Sequence, residues 1–201
     1  MIATRQDGPA DARATIVLAH GAGAGMDHPF LTTVAQGLAA HGFRVVRFDF
    51  PYRTAGKRAP DRMPVLQAAM REVVAGCGPG PIVLAGKSMG GRTATMVADD
   101  LAVRAVVVFG YPFHPPGEPT KLRTAHLADL RTPTLVLQGE RDEFGTRDDV
   151  AGYALAKAIT VQWFADGDHS LAPRKASGHT ATSHLAAAIA AAAAFAQRHV
   201  G

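Results

Sequence analysis

The sequence predicts an α/β fold: a mostly parallel sheet of about six strands with helices on both faces. Three observations carry this expectation. Short apolar runs recur, and the first, Thr15 to Ala19, is continuous, as in strands buried on both faces of a parallel sheet. Segments with apolar residues at helical spacing lie between several of them. The residues that bear chemistry fall just after the runs, where an open parallel sheet binds its ligands.

The first strand is Thr15-Ile16-Val17-Leu18-Ala19, running into His20-Gly21-Ala22-Gly23-Ala24-Gly25. Pro29 to His41 carries Phe30, Leu31, Val34, Leu38 and Ala39 on one helical face, and Gly42 closes it. Arg44-Val45-Val46-Arg47-Phe48 is the second strand, ending in Asp49-Phe50-Pro51-Tyr52. A basic, proline-bearing loop, Arg53 to Arg62, leads to a helix from Met63 to Ala75. Ile82-Val83-Leu84-Ala85 is the third strand, followed by Gly86-Lys87-Ser88-Met89-Gly90 and a small-residue run, Thr93 to Ala98, suited to a helix packed tightly on a sheet. Ala105 to Phe109 is the fourth strand. Tyr111 to Pro133 is proline-rich and polar, with room for a short helix around Lys121 to Asp129. Thr134 to Gln138 and Ile159 to Phe164 supply the fifth and sixth strands, and an alanine-rich helix from about Thr180 to His199 ends the pattern. No repeat or linker interrupts it, so residues 1–201 are expected to form one domain.

Composition narrows the function classes. Hydrophobic residues make up 47% and charged residues 19% of the 201, which fits a globular chain rather than a disordered one. The net charge of +4 is spread along the chain, with no basic block or aromatic-basic interleaving, so no nucleic-acid partner is expected. A single Cys77 forms neither an intrachain disulfide nor a zinc site, and no metal or cofactor is expected. Arg5, Asp7 and Asp11 precede any apolar run, which is wrong for a signal peptide. Leu185 to Ala196 is too short and too alanine-rich to span a bilayer, so a soluble, cytoplasmic protein without membrane partner is expected.

Strand, Gly-x-Ser-x-Gly, helix is the context of a nucleophile elbow, in which Ser88 sits on a turn so sharp that its neighbours two residues away must lack side chains. A phosphate-binding P-loop would need a further glycine at position 81, which is Pro81. Gly21-x-Gly23 with Asp49 ending the next strand resembles a dinucleotide fingerprint, but the third glycine would fall on Met26. An acid and a histidine on the same rim decide for the elbow. Asp142 lies in the tight loop after the fifth strand, with Glu140 and Glu143 as rivals. His169 lies in a Gly-Asp-His turn after the sixth; Asp168 beside it is badly placed to fold back on its ring. Ser88 is thus the expected nucleophile, His169 its base and Asp142 the group that orients the imidazole. Oxyanion donors are expected from the Met89 amide at a helix start and from Ala22 in the first glycine loop. Lys87 reads as an exposed flank of the turn.

These stretches resemble the α/β-hydrolase superfamily, specifically its small capless branch related to the testis-expressed hydrolase-like protein and a chromatin-complex subunit's hydrolase-like domain. The resemblance rests on His20-Gly-Ala-Gly-Ala-Gly25, Arg47-Phe-Asp-Phe-Pro-Tyr52, Gly86-Lys-Ser-Met-Gly-Gly-Arg92, Gly110-Tyr-Pro-Phe-His-Pro-Pro-Gly117, Gln138-Gly-Glu-Arg-Asp142 and Gly167-Asp-His169. It implies the triad Ser88, Asp142 and His169. Bacterial members of the branch are often labelled dienelactone-hydrolase-like, but true dienelactone hydrolases use cysteine where Ser88 stands. Tyr111 to Pro133 is too short for the helical cap many relatives carry, which implies an open, shallow pocket. Phe50, Tyr52, Tyr111, Phe113 and His114 are its expected walls.

The resulting expectation is a serine esterase or thioesterase for small acyl groups, with a small-molecule ester or thioester as its partner. The competing readings are a non-catalytic binding or scaffold module on the same fold and a metal-free perhydrolase, which would use the same triad.

Overall fold

All six apolar runs become strands in a computed structural model that describes residues 2–201. They are β2 (Thr15–Ala19), β3 (Arg44–Phe48), β4 (Ile82–Lys87), β5 (Ala105–Phe109), β6 (Thr134–Gly139) and β7 (Ile159–Phe164), and every pairing among them is parallel. A seventh strand, β1 (Thr4–Asp7), pairs antiparallel with β3 at the sheet edge. The sheet order is β1-β3-β2-β4-β5-β6-β7. Thr4, Arg5 and Gln6 are exposed, so this edge strand has no apolar pattern by which to be read.

A part-buried ion pair secures β1. The Arg47 side chain, only 3% exposed, donates through Nε and Nη2 to the two carboxylate oxygens of Asp7 at 2.8 and 3.1 Å. Its Nη1 donates to the Met26 carbonyl at 2.6 Å and to Thr32 Oγ1 at 3.1 Å. One planar guanidinium therefore ties the edge strand to the loop after β2 and to the first helix, which a lysine ammonium would do poorly.

Helices cover both faces. α1 (Pro29–Ala40) and α6 (Ala181–Val200) pack on one side; α3 (Met63–Ala75) and α4 (Met89–Leu101) pack on the other. The sheet's alternating side chains divide accordingly. Ile16, Leu18, Val83 and Ala85 face α1 and α6, whereas Val17, Leu84, Val106 and Val108 face α3 and α4. Burying one such side chain contributes about 1.5–3 kcal/mol. The alanines of α6 suit close packing: a Cβ on Gly37 of α1 would lie 2.7 Å from Ile189 of α6, so the two helices approach without spacers. Two short helices, α2 (Pro51–Thr54) and α5 (Arg147–Ala151), lie in stretches that carry no helical period. The helix expected around Lys121 to Asp129 is reduced to a 3₁₀ turn, Ala125–Leu127. No helix among the described residues is long and apolar enough to cross a membrane.

The chain passes from β2 outward to β3 and returns to β4 on β2's other side, so the loops after β2 and β4 diverge. That divergence opens a crevice at the carboxyl ends of the two strands, and Ser88 lies at its edge.

Candidate active site

Ser88 links β4 to α4 with φ 51° and ψ −113°, a conformation that costs a non-glycine residue on the order of 1–3 kcal/mol. The surroundings hold it there. Its amide donates to the Phe109 carbonyl at 3.2 Å, and its carbonyl accepts from the Arg92 amide at 2.9 Å. Side chains two residues away have no room: a Cβ on Gly86 would lie 2.4 Å from the Gly90 backbone, and one on Gly90 would lie 2.6 Å from the Ala19 carbonyl oxygen.

Three side chains from three loops meet at this turn. Ser88 Oγ lies 2.8 Å from His169 Nε2, and His169 Nδ1 lies 2.7 Å from Asp142 Oδ2. With Nδ1 carrying the proton, His169 donates to the carboxylate and its free Nε2 accepts from the serine hydroxyl. Asp142 is fully buried, and its carboxylate also accepts from Gln138 Nε2 at 2.8 Å and from the Phe144 amide at 2.9 Å. Gln138 is itself buried and anchored by accepting from the Tyr111 amide at 2.7 Å. The rival acids are engaged elsewhere. Asp168 caps its own turn by accepting from the Ser170 and Ala172 amides, Glu140 pairs with Arg147, and Glu143 is exposed. His184 is buried against the Leu171 carbonyl, with His179 beside its ring.

The loop after β2 faces Ser88 from the other side of the crevice. Ala22 lines the cavities on both sides of Ser88, and Met89 begins α4, where a first-turn amide has no carbonyl one turn earlier to bond. His20, fully buried, accepts at Nε2 from the Phe50 amide at 3.1 Å and has Nδ1 2.8 Å from the Gly21 carbonyl. Both contacts are satisfied by a neutral ring protonated at Nδ1, and burial accordingly holds its pKa below the usual value. Tyr52 Oη accepts from the Gly23 amide at 3.3 Å, and Asp49 Oδ1 accepts from the Met26 amide at 2.7 Å. These side chains hold the backbone of the loop close to the serine.

The expected pocket walls are corrected by the structure. Phe50, Tyr52, Tyr111 and Phe113 are at most 1% exposed and His114 is 4% exposed; none of the five lines a cavity beside Ser88. The four large rings belong to the α3/α4 core instead, held by ring packing and, for the tyrosines, by a hydrogen bond at the hydroxyl. Tyr111 Oη donates to the Arg123 carbonyl at 2.9 Å, Phe50 packs edge-on against His20 and Phe48, and Phe113 packs on Tyr111 and Tyr153. His114 sits with Nδ1 2.8 Å from the Pro115 carbonyl. The walls come from other elements. One cavity, about 290 Å³, lies between Ser88 and α1, with Phe30, Leu31 and His169 among its walls. A second, about 380 Å³, lies toward α3 and α4, with Met63, Leu66, Arg92 and Arg123 among its walls. Phe144 separates them, lining both, with its ring 4.2 Å from the imidazole of His169. Its place two residues after Asp142 was the available signal.

Lys87 is also corrected: it is not an exposed flank. It is part-buried, its Nζ donates to the His169 carbonyl at 2.6 Å, and it lies 6.0 Å from the centre of the Phe30 ring. Strand alternation contains this placement, because Lys87 falls on the same face of β4 as Val83 and Ala85, under α1. Burial pushes its pKa from 10.5 down to about 8, against the opposing pull of Asp142 and Asp168. The ammonium thus holds the backbone of the loop that presents the imidazole. Lys87→Met is expected to lower kcat about tenfold with little change in KM, because the ring loses alignment rather than chemistry. Wild-type kcat should bend downward as pH rises through about 8, where the lysine loses its charge and donates more weakly. The pH profile of the variant should lack that bend.

The geometry can be set beside known proteins. Residues 12–197 match the family model described as an alpha/beta hydrolase domain. The esterase domain of a Rhodothermus marinus protein superposes with a TM-score of 0.73 at 22% identity, covering 100% of this chain and 94% of that one. An α/β serine hydrolase without a lid from Xanthomonas campestris gives 0.73 at 21% identity, covering 99% and 89%. A protein of the alpha/beta hydrolase superfamily from Xanthomonas campestris pv. campestris gives 0.65 at 27% identity, covering 92% and 98%. As in the lidless neighbour, no cap domain stands over the crevice among the described residues. With the family model spanning nearly its whole length, the chain belongs to the alpha/beta hydrolase family.

Proposed function

We propose that the protein is a serine hydrolase that cleaves small carboxylic esters or thioesters through an acyl-enzyme, in the small capless branch its motifs resemble. The observation that carries this reading is the unbroken relay from Ser88 Oγ to His169 at 2.8 Å and from His169 to the buried Asp142 at 2.7 Å. A hydroxyl is a weak nucleophile until a base takes its proton. His169 Nε2 receives that proton as Oγ attacks the acyl carbon, and Asp142 stabilises the imidazolium that forms. The developing oxyanion is stabilised by the Met89 amide, favoured by the start of α4, and by the Ala22 amide. His169 then returns the proton to the departing alcohol or thiol oxygen or sulfur. Water repeats the sequence on the acyl-Ser88 ester and releases the acid.

The imidazole also fixes direction. His169 lines the cavity toward α1 and not the one toward α4, so the leaving group departs on the α1 side and the acyl chain lies on the α4 side. No cap domain encloses either side, which suits short or protruding substrates. Short-chain p-nitrophenyl esters are the direct test: nitrophenolate release should saturate with substrate and fall as the acyl chain lengthens. Failure to hydrolyse any of the series would overturn the reading.

A further inference from the structure

The cavity toward α4 holds two arginines whose charges are unmatched. Arg92 lies one helical turn after Ser88, its amide bonded to the Ser88 carbonyl at 2.9 Å. Arg123 comes from the loop between β5 and β6 and lines the same cavity. Among the described residues neither guanidinium forms an ion pair with a carboxylate, and Arg92 Nε is buried without any hydrogen-bond partner. The two cations are close enough to repel: Arg123 is held below its ordinary pKa by burial first and by Arg92 second, with Tyr111 and then Glu118 opposing. His126 beside them adds no charge at neutral pH, since burial and Arg92 push its pKa down to about 4. One carboxylate, Asp61, shares the cavity on the Tyr52 side, and its Oδ2 is also buried without a partner. Two cations against one anion leave the acyl side of Ser88 with a net positive charge.

Two half-buried guanidiniums face this cavity, and a buried Nε without an acceptor on Arg92 costs the fold stability. They fit an anionic ligand, because a guanidinium fork matches a carboxylate in shape and charge. We propose that Arg92 and Arg123 form an anion-binding subsite that selects acyl groups bearing a terminal carboxylate, so that half-esters of short dicarboxylic acids are the preferred substrates. Met63 and Leu66 give the intervening methylenes an apolar wall. The inference rests on the hydrolase reading, which supplies the direction in which the acyl chain lies.

The test compares monomethyl glutarate with the methyl ester of glutaramic acid, which has the same shape and no charge, by methanol release. The wild type should prefer the anionic ester by about tenfold or more in kcat/KM, and added salt should narrow the gap. Arg92→Met and Arg123→Met should each reduce the anionic-to-neutral ratio by about tenfold, while Arg123→Lys should restore part of it. The wild-type ratio decides the matter even where a variant fails to fold. Hydrolysis of both esters at equal rates, or a preference for the neutral one, would overturn the subsite alone. Hydrolysis of neither, together with no reaction at Ser88, would overturn the hydrolase reading and the subsite with it.

Discussion

Ser88→Ala is expected to reduce kcat/KM on short acyl esters by about 10⁴- to 10⁶-fold while the protein remains folded. The loss is large because the proposed mechanism then lacks its nucleophile: the imidazole, the buried acid and the strained turn converge on that one hydroxyl. Stability should hold or rise slightly, since alanine adopts φ 51° no worse than serine and Oγ contributes one exchangeable hydrogen bond. Steady-state assays with urea unfolding separate the two effects. A variant that keeps a tenth of the activity would show that Ser88 is not the acylated group.

Asp142→Asn is expected to cost about 10³- to 10⁴-fold in kcat and to destabilise the protein as well. The Asp142 carboxylate accepts from three donors: His169 Nδ1, Gln138 Nε2 and the Phe144 amide. An asparagine has one acceptor oxygen and one donor nitrogen in the same place. If its oxygen faces Phe144, its NH₂ confronts the Gln138 NH₂ and forces the His169 proton to Nε2, where it blocks the serine. If its oxygen faces Gln138 and His169, its NH₂ confronts the Phe144 amide. Either orientation leaves buried donors opposed, at roughly 1–3 kcal/mol. A large fall in kcat with a measurable drop in urea midpoint is the expected result. Activity within threefold of wild type would mean that Asp142 does not orient the imidazole.

The fold was legible because parallel strands are written as apolar runs. The edge strand β1 was not, since an exposed strand needs no apolar residue and β1 is held by Arg47 reaching Asp7 from the neighbouring strand. Ser88, Asp142 and His169 were readable from their places after β4, β6 and β7, because that rim is fixed by topology before any side chain is considered. The walls were not readable in the same way. Phe50, Tyr52, Tyr111, Phe113 and His114 share the rim, but whether a ring turns up into the crevice or down into the core depends on partners distant in sequence. For Tyr111 that partner is the Arg123 carbonyl, and for Tyr52 it is the Gly23 amide. Lys87 illustrates the converse. The period-two alternation that places Val83 and Ala85 toward α1 places Lys87 there too, but a lysine reads as surface until the His169 carbonyl is found above it.

Acyl transfer to Ser88 is tested most directly by covalent capture. A fluorophosphonate reacts with an activated serine and leaves its phosphonyl group on the attacking oxygen, so peptide mass spectrometry reads the site without knowledge of the substrate. Stoichiometric labelling confined to the peptide bearing Ser88, abolished by Ser88→Ala and strongly slowed by Asp142→Asn, is the expected result. A folded wild-type protein that takes up no label, or takes it up elsewhere, would contradict the serine hydrolase mechanism.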